Sequence, residues 1–522
     1  MIATSQPLAS AAGLKVLQDG GTAVDAAVTA AAVLTVIEPT MTSIGGDLFA
    51  IVYDARTGAL RGLNASGRSA YAATAGAFAA RGLTDVPATG ALTVTVPGAV
   101  DGWSALLDAC GTLPLSRALA PAIAYARDGF PVAEIVSHQW RVAAPKLAAD
   151  AAAAATFLPS GGPPSVGERF VNPRLAATLQ TLASGGRDAL YTGPIARAIV
   201  DDMRRRDALL DARDFADHTS DWVAPITTSY RGYDVYEMPP NTQGFAVLEM
   251  LNILEGFDVA AMGHNSADYL HLLVEAKRIA FADRAAHLGD PGRVPAALLR
   301  TLTSKDYAAV RRAQIDRARA AAAYEPAGFS ETAPHTGGRD RGDTVYLTAA
   351  DRNGNVVSLI QSIFSDFGAG IVAGDTGIVL QNRGSSFTLI DGHPNQIASH
   401  VRPAHTLIPA FVMKDGAPFL SFGVMGGDHQ AQGHTQVLVN MIDFGMNVQE
   451  AGEAARVTHT AQGLHVESGV PAAVRKDLAV RLHTVIETLG GFGGYQGIRI
   501  DAATGVLAGG SDIRKDGLAI GY

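Results

Sequence analysis

The hydrophobic pattern of the chain changes rhythm at Thr344. Before it, apolar positions mostly recur at helical spacing; after it, short alternating runs dominate. The spacing predicts a helix over Leu8 to Gln18, capped by Ser5, with Pro7 in its first turn and Gly20-Gly21 at its end. A second helix, opened by Thr22 or Asp25, runs to Ile37 and stops at Glu38-Pro39. Its apolar stretch, Ala26 to Ile37, reads as buried. Gly45-Gly46 then leads into a strand, Leu48 to Tyr53, and a turn at Asp54 to Gly58 leads into another, Leu60 to Asn64. Between residues 97 and 300 helices alternate with loops. One of them carries Leu270, Leu273, Val274, Ala276, Ile279 and Ala280 on a single face. Thr228 to Tyr236 reads as a strand.

From Thr344 to about Gly427 the pattern predicts strands at Val345 to Thr348, Val356 to Gln361, Gly377 to Leu380, Leu407 to Val412 and Phe419 to Phe422. Two helices follow, Gln430 to Phe444 and Val448 to Arg456. The stretch Arg317 to Gly342 stands apart. It opens helically, Arg317 to Ala323, and then turns to Pro326, Gly328, Pro334, Gly337, Gly338 and Asp340, a composition that cannot bury a core. It reads either as a linker or as a loop with a task.

The residues after it favour a task. Asp351-Arg352-Asn353-Gly354-Asn355 joins two strands. A three-residue loop with Gly354 left-handed pairs Asp351 with Asn355 and sets Thr344 opposite Ser362. A two-residue loop sets it opposite Ile363. The first register, preferred here, gives Thr344 a hydroxyl neighbour. A threonine exposed at a strand start, behind a cleavable loop, suggests one chemistry. Breaking the Asp343–Thr344 bond frees an α-amine whose ordinary pKa is about 7.7–8.0. That amine can take the proton of the threonine's own hydroxyl, so nucleophile and base share one residue. Such a site needs an oxyanion hole, and Gly426-Gly427, between a strand and a helix, offers free N–H groups.

Composition narrows the alternatives. The chain has 522 residues, 48% hydrophobic and 17% charged, enough for a large core. A net charge of −9 argues against a nucleic-acid partner. A single cysteine, Cys110, allows no internal disulfide, and the start carries no signal-peptide pattern; the expectation is a cytoplasmic protein. No apolar run approaches the roughly 18 residues of a membrane span. His400, His405, His429 and His434 lie close in sequence but form no coherent ligand set, so no metal is expected.

At this point the chain resembles the γ-glutamyltransferase family of N-terminal-nucleophile hydrolases. The resemblance runs through "GGTAVDAAVTAAAVLTVIEPTMTSIGGDLFAIVYD", "VPGAVDGW", "YRGYDVYEMPPNTQG", "DRNGNVVS", "FGAGIVAGDTGIVLQNRG", "RPAHTLIP" and "MGGDHQ". It implies an α+β fold, a four-layer αββα sandwich, cut into a large subunit (1–343) and a small one (344–522) that together form one domain. It implies a small-molecule amide substrate and no cofactor, and leaves homo-oligomerisation open. By resemblance Thr344 is the nucleophile, Ser362 its hydroxyl partner, and Gly426 and Gly427 the oxyanion hole.

The departures fall in substrate recognition. Where γ-glutamyl enzymes place an acid before a Phe, this chain reads Arg383-Gly384-Ser385-Ser386-Phe387. Their Ser-Ser pair is His405-Thr406, an asparagine is Phe364, and a Gly-Arg-Glu motif is Gly67-Arg68-Ser69. The substrate-binding candidates are therefore Arg68, Arg383, Ser386, His405 and Thr406. Two enzymatic readings follow: cleavage or transfer of γ-glutamyl amides such as glutathione, or hydrolysis of an amide bearing a carboxylate but no α-amine, of glutaryl, cephalosporin or oxamate type. Arginines, which grip carboxylates in a fork, suit the second. A third reading is an uncut, non-catalytic binding protein on the same scaffold.

Overall fold

A computed structural model describes residues 1–327 and 343–522. At its centre lie two antiparallel sheets. Their strands, in chain order, are β1 (Ile2–Thr4), β2 (Asp47–Asp54), β3 (Ala59–Ala65), β4 (Asp221–Val223), β5 (Ile226–Tyr230), β6 (Tyr233–Glu237), β7 (Asp343–Ala350), β8 (Val356–Phe364), β9 (Ala410–Lys414), β10 (Ala417–Met425), β11 (Gly494–Ile500), β12 (Leu507–Ser511) and β13 (Leu518–Ile520). The larger sheet runs β13-β1-β7-β8-β2-β3-β4, the smaller β12-β11-β10-β9-β6-β5.

Strand alternation sorts the side chains into layers. Val345, Leu347 and Ala349 of β7 pack outward against helices, among them α1 (Pro7–Gln18), α2 (Ala23–Ile37) and α3 (Ala99–Cys110). Helix α2 is buried at every residue, which explains its lack of a polar face. Tyr346 points the other way, joining Phe49, Ile51, Ile360, Phe411 and Met425 in the layer between the sheets. The smaller sheet's outer face, with Leu420, Phe422 and Val424, packs on α4 (Gly244–Leu254), α5 (Ala267–His287) and α6 (His429–Ile442). The result is the expected α+β sandwich of four layers, αββα.

Several local expectations change. Helix α1 is capped by Gln6, whose side chain accepts from Leu8 N–H, because the Ser5 hydroxyl is taken by Glu38 at 2.5 Å. Thr228 to Tyr236 is a hairpin, broken at Arg231-Gly232, where both residues have positive φ. Gly377 to Leu380 makes only isolated bridges. Arg317 to Ala323 is not helical. Arg278 donates to the carbonyls of Ala321 and Ala322, and Glu275 accepts from Ala321 N–H, so side chains of α5 take the hydrogen bonds a helix would use. Residues 328–342, the rest of the loose stretch, lie outside the described residues. Among the described residues no helix is long and apolar enough to cross a membrane.

Candidate active site

The β7–β8 hairpin has the preferred register. Asp351 N–H donates to the Asn355 carbonyl, Gly354 is left-handed at φ 84°, and Val356 pairs with Ala350 through to Gln361 with Val345. Beyond that point the ladder shifts, with Phe364 opposite Asp343. Ser362 and Ile363 therefore oppose the single residue Thr344 in a β-bulge. Bulges re-aim side chains at strand ends, a common device beside active sites. Ser362 Oγ accepts from Phe364 N–H at 2.7 Å, and Phe364 is held at φ 80°. On its other side Ser362 pairs with Asp47, the first residue of β2. By alternation Thr344, Ser362 and Asp47 face the space between the sheets. Gly46 permits this approach, since a Cβ there would strike the Ser362 carbonyl oxygen. Thr344 is 1% exposed, against the expectation of an exposed threonine, because β7 is a central strand and the second sheet covers its inner face.

Gly426 and Gly427 end β10, at φ 114° and 58°, immediately before α6. The Gly426 carbonyl accepts from His429 N–H, and the Gly427 carbonyl from Gln430 N–H and the Gln243 side chain. In a planar trans peptide the N–H opposes the C=O, so the Gly427 amide points away from the helix. Asp428 is fixed by two hydrogen bonds from Arg284, at 2.7 and 3.0 Å. Burial pushes its carboxyl up, but the guanidinium outweighs that and holds it below the usual range.

Arg383 is fully buried. Its guanidinium carbon lies 4.0 Å from the Phe364 ring centre, and Nη1 donates to Thr406 Oγ1 at 3.3 Å, while Nε and Nη2 have no hydrogen-bond partner. Burial brings its pKa down to about 9, with Asp47 and Asp428 acting in the opposite direction. Arg383 thus touches the β7–β8 hairpin through Phe364 and feels the charge of Asp428 beside the glycine turn. His405 is also fully enclosed, its Nε2 donating to Asp47 Oδ2 at 3.2 Å and its Nδ1 accepting from Leu407 N–H. Burial, with Arg383 nearby, lowers its pKa to about 3, so the ring is neutral.

The other two candidates stand apart from this group. Ser386 ends the turn Arg383–Ser386 half-buried, with its carbonyl accepting from Asn395. Arg68 is committed to Asp221 at 3.2 Å and to the Thr219 carbonyl, beside Arg402, which holds the same two groups. The four histidines are dispersed. His434 pairs with Glu237, His429 sits behind the glycine turn, and His400 stacks on Tyr71. Among the described residues no group of three or more His, Cys, Asp or Glu could hold a metal. Asp47 is the residue that sequence reasoning missed. Its signal was an acid directly before the apolar run Leu48 to Val52 of β2.

The gamma-glutamyltranspeptidase profile matches residues 9–522. The chain belongs to the gamma-glutamyltranspeptidase family. The glutathione hydrolase-like YwrD proenzyme of Bacillus subtilis (strain 168) is 38% identical over 100% of this chain and 98% of its own length. The acylase ACY 1 proenzyme of Pseudomonas sp. (strain SE83) is also 38% identical, over 100% and 93%. Cephalosporin acylase from Bacillus halodurans superimposes with a TM-score of 0.93 at 39% identity, covering 100% of this chain and 95% of that one. Family membership makes this chain an enzyme of the amidohydrolase and acyltransferase kind, and its relatives are proenzymes.

Proposed function

We propose that the protein matures by cleavage before Thr344 and then hydrolyses a small amide whose acyl chain ends in a carboxylate and carries no α-amine. The observation that carries this reading is Arg383, a buried guanidinium with two of its three nitrogens unpartnered. An enclosed, unpaired cation is costly unless an anion completes it. A substrate carboxylate would do so with charge-assisted hydrogen bonds. Phe364 and Thr406 flank that place, and Ser386, by resemblance the position of the acid that holds an α-amine in γ-glutamyl enzymes, carries no charge.

The steps follow from the residues. The Thr344 α-amine takes the Oγ proton as Oγ attacks the amide carbonyl, and the N–H groups of Gly426 and Gly427 receive the negative charge on oxygen. Collapse breaks the C–N bond, and the ammonium returns its proton to the departing amine. Water then attacks the acyl-Thr344 ester by the same proton route and releases the acid; an acceptor amine in place of water gives transfer. Ser362 supports the nucleophile's orientation through the bulge.

A second reading, γ-glutamyl hydrolysis or transfer, draws on the likeness to a glutathione hydrolase-like proenzyme. Comparing kcat/KM for a glutaryl anilide and a γ-glutamyl anilide separates the two. Preference for glutaryl supports the first; preference for γ-glutamyl overturns it. Turnover of neither, by a chain that stays whole, would leave the non-catalytic reading.

A further inference from the structure

Asp47 is fully buried at the head of β2, paired with Ser362. Its carboxylate gathers three separate stretches of chain. Oδ1 accepts from Gly67 N–H at 2.8 Å and from Gln381 Nε2 at 2.9 Å; Oδ2 accepts from His405 Nε2 at 3.2 Å. Gln381 lies two residues before Arg383, and His405 immediately precedes Thr406, the partner of Arg383 Nη1. Two of these stretches are tied a second time close by. Gln381 Nε2 also reaches the Val96 carbonyl, and His405 N–H donates to the Asn241 carbonyl at 2.7 Å.

We infer that Asp47 is the positioning residue that holds Arg383 and Thr406 in register with the nucleophile, and so sets the enzyme's preference for acyl groups ending in a carboxylate. This rests on the reading of Arg383 given above.

The site demands an acceptor-only group. Leu407 N–H occupies His405 Nδ1, so His405 Nε2 must carry the proton and donate. Gly67 N–H and Gln381 Nε2 donate from the other side. An asparagine at position 47 would turn its NH2 toward one of these donors whichever way it faced. An apolar residue would orphan the Gly67 and His405 donors and leave Gln381 Nε2 only the Val96 carbonyl, at the cost of unmet buried hydrogen bonds. The same carboxylate opposes part of the burial penalty on Arg383. Asp47 therefore contributes both geometry and charge to the recognition face, while touching no reacting atom.

The test compares kcat/KM for a glutaryl anilide and a butyryl anilide, which lacks the distal carboxylate, in the wild type, Asp47→Asn, Gln381→Met and Arg383→Ala. Imidazole 15N spectra of His405 are recorded alongside. In Asp47→Asn the glutaryl-to-butyryl ratio should fall about tenfold, the worth of one or two hydrogen bonds, mainly through KM. The His405 proton should also leave Nε2. Gln381→Met, which removes one tie and keeps the carboxylate, should lower the ratio about threefold and answers the question if Asp47→Asn does not fold. A ratio unchanged in both variants, whatever the loss in overall rate, would reduce Asp47 to a structural role and overturn the inference. Loss of the preference in Arg383→Ala with its retention in Asp47→Asn defeats the Asp47 role alone. A wild type without the preference, or an Arg383→Ala variant that keeps it, defeats the carboxylate reading instead. The proton position on His405 and the kcat–KM split on the better acyl amide then decide whether Asp47 positions Thr406.

Discussion

The Arg383 guanidinium sits 4.0 Å from the centre of the Phe364 ring, so the cation is covered by an aromatic face on one side and by protein on the others. Replacing it by leucine should lower kcat/KM for a glutaryl anilide by roughly 10–150-fold, the range for losing a hydrogen bond to a charged group. Steady-state kinetics on the purified variant checks this; an unchanged KM would count against carboxylate binding there.

The same group predicts an alkaline limb. Burial puts the Arg383 pKa down at about 9. The cation is present below that value and is lost as pH rises through it, so kcat/KM for a carboxylate-bearing substrate should fall above about pH 9. A bound carboxylate stabilises the cation, so the limb should move to higher pH in kcat. Arg383→Leu should lack the limb, and pH–rate profiles of the two proteins show whether it does.

Cleavage before Thr344 yields chains 1–343 and 344–522. Intact-mass analysis of fresh protein should find both in the wild type and one 54.0 kDa chain in Thr344→Ala. A wild type that stays whole on long incubation would remove the α-amine from the mechanism.

Gly426→Ala should reduce kcat by about 10²–10³-fold with a small change in KM, the signature of a lost oxyanion donor. An alanine resists φ 114°, and its Cβ would come within 3.0 Å of Gly493 Cα, so the turn must shift. Comparable loss in KM would place the glycine in substrate binding instead.

His434 and Glu237 form a buried pair at 2.8 Å beneath β10. Burial pushes the Glu237 carboxyl well up and the His434 pKa down to about 3, so it favours the neutral form of each. Glu237→Gln should therefore cost less than about 1 kcal/mol, whereas Glu237→Ala, leaving His434 Nδ1–H unpaired, should cost about 1–3 kcal/mol or more. Urea unfolding of the two variants measures the difference.

Local chemistry made much of this site legible. Gly354 could be assigned the left-handed corner because the loop between two alternating runs needed one, and the register that places Thr344 near Ser362 followed. The bulge could not be foreseen, since it depends on how β2 and Gly46 press against Ser362. The cap of α1 was misassigned because Ser5 bonds Glu38, a tertiary partner 33 residues away. Asp47 escaped notice for the same reason. Its partners at 67, 381 and 405 meet only after both sheets have formed. Arg68 had a plausible motif, yet Asp221 and Thr219 claim its side chain, and nothing in the spacing of residues 67–69 signals that.

The strand order has a last consequence. In the larger sheet β7, β8 and β13 come from residue 343 onward, and β1, β2, β3 and β4 from before it; the smaller sheet is divided likewise. The two products of a cut would be laced together strand by strand. Neither could fold on its own, because each would present open strand edges where the other belongs. As a precursor the chain folds in a first-order process, at any concentration. Once cut and then denatured, it must reassemble by collision, against aggregation of those same edges. A scission that frees the Thr344 α-amine would therefore also make folding a one-time event, and separately expressed halves should reconstitute poorly.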